Sequence, residues 1–242
     1  MTTLVGFHAI NSRLRQKADT VSEIYIDATR NDGRMRDLRA LAKKHDIRVI
    51  PVDAKRLDGM SGGMRHQGAV AQAEQLDMPK FIEDVLEGLT EPPLLLILDG
   101  VQDPHNLGAC LRVADGAGAH AVIAPKDHAV GLTSAAIKVA SGAAESVPYI
   151  VVTNLARTMR DLKDRGIWLV GADDSAPRTI YQEKLDGALG LVMGAEGEGL
   201  RRLTKESCDL LVSLPMMGTV ESLNVSVASG VCLYEVRRRR LK

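Results

Sequence analysis

Leu189-Gly190-Leu191-Val192-Met193-Gly194-Ala195-Glu196-Gly197-Glu198-Gly199 opens the most informative stretch of the chain, which runs on to Ser226. Its first five residues form a short apolar run, the pattern of a buried strand. Glycines 194, 197 and 199 follow closely, then a helical pattern over Leu200–Cys208 and a second apolar strand, Leu210–Pro215. That strand breaks into Met216–Glu221, and Ser222-Leu223-Asn224-Val225-Ser226 starts the last helix. Two strands therefore end in glycine-containing loops, with small polar groups waiting at the second. Glycine lets backbone approach a ligand closely and leaves N–H and C=O groups to read it, which predicts a pocket for a flat, polar molecule. A pair of ordinary tight turns uses the same glycines.

Upstream, Leu94-Leu95-Leu96-Ile97-Leu98 is apolar throughout and predicts a central strand buried on both faces. Ala121–Ala124, Tyr149–Val152 and Ile167–Val170 read as further strands, and Ser134–Ala140 and Leu155–Arg165 as helices. Strand, loop and helix in repetition imply an α/β fold with a mostly parallel sheet covered by helices. A smaller α/β unit precedes it, with helices His8–Gln16, Met35–His45 and Lys55–Met60 and strands Glu23–Ile26, Arg48–Val52 and Gly68–Ala73. The expected organisation is an N-terminal domain over residues 1–75, a linker and connecting helix over 76–90, and a second domain over 91–242.

The chain has 242 residues, 45% hydrophobic but only 3% aromatic, so its core is aliphatic. Net charge is zero, yet residues 1–75 carry 13 Lys+Arg against 9 Asp+Glu. That excess fits a polyanionic partner for the first unit, and equally an ordinary solvated surface. Cys110, Cys208 and Cys232 are widely spaced, which suggests reduced thiols and neither a disulfide scaffold nor a metal site. No apolar segment follows the initial Met and no run is long enough to cross a bilayer, so a cytoplasmic protein without a membrane partner is expected. The run Arg237–Arg240 ends the last helix, complements its dipole, and reads as a solvated tail.

Three constellations carry chemistry. In the first, Asp99–Arg112, a strand end leads into a helix that Asn106 can cap, with Leu107, Cys110, Leu111, Ala114 and Ala117 on one face. Arg112 lies on another face beside Gly108, Ala109 and Gly116, with room for a closely approaching partner or substrate, or as a plain surface arginine. The second, Gly194–Gly199, has the order G-x-x-G-x-G, so neither the dinucleotide fingerprint nor a Walker A loop is present. Glu196 there suits a hydrogen bond within its loop or to a sugar. In the third, Ser222 and Asn224 stand where a helix cap is also expected, and no G-x-S-x-G surrounds Ser222 to support hydrolase chemistry.

Taken together, Asn106-Leu107-Gly108-Ala109-x-x-Arg112, Met193-Gly194-x-Glu196-Gly197-x-Gly199 and Leu214-Pro215-Met216-x-Gly218-x-x-x-Ser222-Leu223-Asn224-Val225-Ser226 resemble the three motifs of the SpoU/TrmH family of RNA ribose 2′-O-methyltransferases, in the SPOUT superfamily. The strings Leu96–Asn106 and Ala143–Pro148 are similar to members that methylate a guanosine of large-subunit (23S) ribosomal RNA. The resemblance covers the full chain. It implies a trefoil-knotted C-terminal domain, a small ribosomal-protein-like RNA-binding N-terminal domain, and a homodimer. It implies S-adenosylmethionine as cofactor, held chiefly by backbone at Gly194, Leu214 and Leu223 with Gly171 and Met216 as neighbours. It implies Arg112, serving the partner's pocket, as base or phosphate clamp, with Asn106, Glu196, Ser222 and Asn224 orienting it and the ribose. No metal is implied. A tRNA 2′-O-ribose methyltransferase and a non-catalytic ribosome-assembly factor are the alternatives.

Overall fold

The computed structural model describes residues 1–241, which divide into two compact units, the first ending at Asp77 and the second beginning at Met78. The first contains β1 (Thr2–Val5), α1 (Phe7–Gln16), β2 (Val21–Asp27), α2 (Gly33–Lys44), β3 (Arg48–Val52), α3 (Ala54–Ser61) and β4 (Ala69–Ala73). Its sheet runs β1-β4-β2-β3, with β2 and β3 parallel and the other pairs antiparallel. Ile10 and Leu14 of α1 and Met35, Leu38 and Ala42 of α2 recur at helical spacing and are buried against Ile24, Ile26 and Ala71. Strand β1 was not expected from the sequence. Four residues are too few to display an alternation, yet each of them pairs with β4.

The second unit contains α4 (Ile82–Glu87), β5 (Leu94–Asp99), α5 (Pro104–Gly116), β6 (Ala121–Pro125), α6 (Ser134–Ala140), β7 (Tyr149–Val152), α7 (Leu155–Asp164), β8 (Trp168–Ala172), β9 (Leu189–Gly194), α8 (Arg202–Ser207), β10 (Leu210–Val212) and α9 (Val225–Arg240). The sheet order is β10-β8-β9-β5-β6-β7 and every pairing is parallel. Side chains alternate across it. Leu94, Leu96 and Leu98 face α5, α6 and α9, whereas Leu95 and Ile97 face α4 and α7. Helix α4, expected as a connector, buries Ile82 and Val85 in that second core.

Three local readings are corrected by the structure. Helix α5 starts three residues earlier than expected, with Asp103 as its cap and Pro104 in the first turn; the Asp103 carboxylate accepts the N–H groups of His105 (2.6 Å) and Asn106 (3.0 Å). Those donors, Asn106 first, hold the Asp103 carboxyl below its ordinary range. Asn106 is therefore inside the helix, and its side chain is released for other work.

Gly108, one of the small residues beside Arg112, does not open a surface, whereas Gly116 stays exposed. A Cβ on Gly108 would stand 2.4 Å from the Ala136 carbonyl oxygen and 2.7 Å from Val139 Cβ, so this glycine exists to let α5 and α6 touch. Gly108→Ala should destabilise the fold by about 1–3 kcal/mol, read from the midpoint of a denaturant titration; an unchanged midpoint would refute the packing account.

The terminal arginines are not a solvated tail. Arg237 donates to the carbonyls of Ala117 and Gly118 (both 2.8 Å), and Arg239 to that of Tyr181. Arg240 reaches the carbonyls of Pro92 (2.8 Å), Pro93 (2.7 Å) and Gly187 (2.7 Å), ahead of β5 and β9. Of the four, only Arg238 is largely exposed, and it pairs with buried Glu235.

Candidate active site

Because β5, β9 and β8 are parallel neighbours, their C-terminal ends lie side by side, where open α/β sheets bind ligands. At the end of β9 the chain folds back sharply. Ala195 and Gly199 exchange two backbone hydrogen bonds (3.2 and 3.0 Å). The return leg passes so close to Gly194 that a Cβ there would lie 2.1 Å from the Gly199 carbonyl carbon. Gly197 and Gly199 take left-handed φ values of 81° and 67°, which side chains resist.

This turn is fastened to the central strand. Arg201, just past it, donates its backbone N–H to Asp99 Oδ2 (3.0 Å) and its Nε to Asp99 Oδ1 (2.6 Å). Asp99 is fully buried at the end of β5, a place a carboxylate tolerates only when paired and hydrogen-bonded. The sequence reading did not single out this pair. Its members are 102 residues apart, and nothing local marks them.

Above the turn three of the expected site residues meet. Asn106 Nδ2 donates to Glu196 Oε2 (3.2 Å), and Asn224 Nδ2 donates to Asn106 Oδ1 (2.9 Å) and, more weakly, to Glu196 Oε2 (3.5 Å). Asn224 also caps α9, its Oδ1 accepting from the N–H (2.9 Å) and hydroxyl (2.7 Å) of Ser226. The side chain of Asn224 therefore caps the helix and joins the trio at once. Both amides are thereby oriented, and exposed Glu196 keeps free acceptor capacity toward solvent.

Beside the trio is a cavity of about 480 Å³, a size that suits a small-molecule ligand. Gly194 and Glu196 line it, as do Leu214, Met216, Ser222 and Leu223. Gly171 does not: it faces the core, where a Cβ would crowd Cys208, Leu200 and Leu211, and its successors Ala172 and Asp173 reach the cavity instead. Arg112 lies on the exposed side of α5 and makes no hydrogen bond or ion pair among the described residues. Six residues separate it from Asn106, about 9 Å along the helix and a third of a turn away, so it does not join the trio within this chain.

No thiol is poised for chemistry. Burial pushes Cys110 up to about 11 and Cys208 and Cys232 up to about 12. Among the described residues there is no grouping of His, Cys, Asp and Glu that could hold a metal ion, and no helix is long and apolar enough to cross a membrane.

Residues 3–79 match the family described as RNA 2′-O ribose methyltransferase substrate binding, and residues 93–234 match the SpoU rRNA Methylase family. The 23S rRNA (guanosine-2′-O-)-methyltransferase RlmB of Ralstonia nicotianae is 60% identical over 237 residues, covering 98% of this chain and 95% of the relative. The protein of the same name from Neisseria meningitidis serogroup B is 55% identical over 238 residues, covering 98% and 95%. Among solved structures, an RNA 2′-O ribose methyltransferase superposes with a TM-score of 0.74 at 27% identity, covering 99% of this chain and 89% of the other. The SpoU methyltransferase AviRb from Streptomyces viridochromogenes, in complex with AdoMet, gives a TM-score of 0.72 at 25% identity, covering 99% and 90%. A chain that carries both regions in order, with the polar trio on its glycine turn, belongs to the SpoU rRNA methylase family.

Proposed function

We propose that this protein transfers the methyl group of S-adenosylmethionine to the ribose 2′-hydroxyl of a guanosine in 23S ribosomal RNA. The observation that carries this reading is the Asn106–Glu196–Asn224 trio standing over the glycine turn of a ligand-sized cavity. Relatives named for that reaction are 60% and 55% identical to this chain.

The cavity fits the cofactor. No side chain intrudes at Gly194, and Leu214, Met216 and Leu223 offer apolar surface to a flat purine. S-adenosylmethionine, when bound, supplies a methyl group already activated on a sulfonium. The work left to the chain is positioning and proton management. Glu196, held by the two amides, presents an acceptor that orients the ribose hydroxyl, and Ser222 adds a hydroxyl at the same rim. Arg112 grips the adjoining phosphate through its planar guanidinium, which stays charged near neutrality. The proton leaves O2′ late, once bond formation to carbon has made that oxygen strongly acidic, and passes to the phosphate or to water.

The proposal includes a homodimer, in which Arg112 of one copy completes the pocket of the other. Its support is the distance of Arg112 from the trio in its own chain, and the exposed apolar residues Leu223, Val227 and Tyr234 around α9. It also includes a trefoil knot in the second unit. There the segment after β10 runs beside Arg178–Ile180 through two hydrogen bonds from and to Ser213 (2.9 and 3.0 Å) before α9 packs onto α5. Residues 1–75 act as the ribosomal-protein-like RNA-binding domain, in keeping with their basic excess and the substrate-binding family match, followed by the linker and connecting helix over 76–90 and the methyltransferase domain over 91–242.

The test is to incubate the protein with methyl-labelled S-adenosylmethionine and protein-free 23S rRNA, digest the RNA and separate its nucleosides. Label in 2′-O-methylguanosine is expected. Label in another 2′-O-methylnucleoside, or in tRNA instead of rRNA, would overturn the target. No label on rRNA or precursor ribosomal particles, despite measurable cofactor binding, would favour a ribosome-assembly factor.

A further inference from the structure

Asp173 and Lys205 form an ion pair (2.7 Å) that lines the cavity beside the glycine turn, although neither belongs to the three motifs. Asp173 follows the end of β8, and its Oδ1 is occupied by the backbone N–H (3.0 Å) and hydroxyl of Ser175. Lys205 Nζ donates to Asp173 and to Ser175 Oγ (3.2 Å). An ionised carboxylate has about four acceptor positions and an ammonium three donors, so the pair keeps one acceptor and one donor in reserve. Burial works to raise the Asp173 carboxyl, but the hydrogen bonds of Lys205 and Ser175 outweigh it and the group stays below its ordinary range.

The order of strand ends says which part of a ligand meets this pair. Asn106, Glu196 and Asn224 stand over β5 and β9, Asp173 over β8, and Leu214 beyond β10, in the spatial order β5-β9-β8-β10. Neighbouring strands are about 4.8 Å apart. A ligand whose reacting end is at the trio and whose flat ring lies on Leu214 places its middle portion at Asp173. For an adenosine-based methyl donor that portion is the ribose.

We infer that Asp173 and Lys205 recognise the vicinal 2′,3′-diol of the cofactor's ribose, one hydroxyl donating to the carboxylate and the other oxygen accepting from the ammonium. This rests on the methyltransferase reading above. The same two charges match the zwitterionic tail of the cofactor, so the test separates the two. Calorimetric titration of wild type, Asp173→Asn and Lys205→Met would use S-adenosylhomocysteine, 5′-methylthioadenosine, which lacks the tail, and 2′,3′-dideoxy-5′-methylthioadenosine. Asp173→Asn is expected to weaken the first two ligands by the same factor, about 10- to 100-fold. The dideoxy compound should bind wild type and both variants alike. Weakening of S-adenosylhomocysteine alone would overturn the diol in favour of the tail. Unchanged affinities with a lowered melting temperature would reduce the pair to a structural bridge between β8 and α8. Failure of wild type to bind S-adenosylhomocysteine would overturn the methyltransferase reading itself, and the inference with it.

Discussion

Arg112→Ala is expected to lower methyl transfer about 10²- to 10⁴-fold while S-adenosylhomocysteine affinity stays within about threefold. Arg112 is exposed and has no partner among the described residues, so its removal leaves no buried group unsatisfied and should not disturb the fold. The loss falls on the placement of the ribose and its phosphate. Lysine keeps a positive charge but not the planar fork, and Arg112→Lys should recover only part of the rate. A clamp with late proton release also predicts a wild-type rate that is flat between about pH 7 and 9, because guanidinium does not titrate there. A rate that climbs tenfold per pH unit across that range would show a base titrating and would displace the clamp. Equal losses in rate and in cofactor affinity would instead place Arg112 in the cofactor site.

Gly194→Ala should be as damaging, for a different reason. The added methyl would meet three backbone atoms, the carbonyl carbon (2.1 Å) and oxygen (2.3 Å) of Gly199 and the nitrogen of Leu200 (2.4 Å). None can swing aside as a side-chain tip would. The turn has to open, which separates Ala195 from Gly199 and carries Glu196 away from Asn106 and Asn224. Overpacking of this kind costs about 1–3 kcal/mol, and a displacement near 1 Å at a reacting site costs about a hundredfold in rate. The expected result is a Kd for S-adenosylhomocysteine raised at least about a hundredfold, with a lower melting temperature. Binding within about threefold of wild type would show that this turn does not cradle the cofactor.

Much of this architecture was legible because strands buried on both faces leave unbroken apolar runs. Leu94–Leu98 and Leu189–Met193 were placed within a residue of β5 and β9, and their parallel pairing follows from the helices between them. The start of α5 was misplaced although its signal was present: Asp103-Pro104 is a cap followed by a proline whose missing N–H costs the first turn nothing. What stayed hidden was tertiary. Gly108 is small because α6 presses on it, and Asp99 can sit in the core because a residue far along the chain answers it. The polar trio was named from its motifs, but no spacing rule places Asn224 against Asn106 across 118 residues.

Arg240 gives the order of chain growth a structural meaning. Its contact with Pro92 closes a loop of 148 residues, one of the longest spans in the molecule, and Pro92 stands at the doorway of the central strand. During synthesis β5 emerges early but its doorway is locked only when the final turn of α9 arrives. Contacts across so long a separation form late, because the loop-closure entropy has to be met before the contact can repay it. Until then the Glu91–Pro93 segment lies open, and a nascent or truncated chain should be cut there by proteases that spare the finished protein.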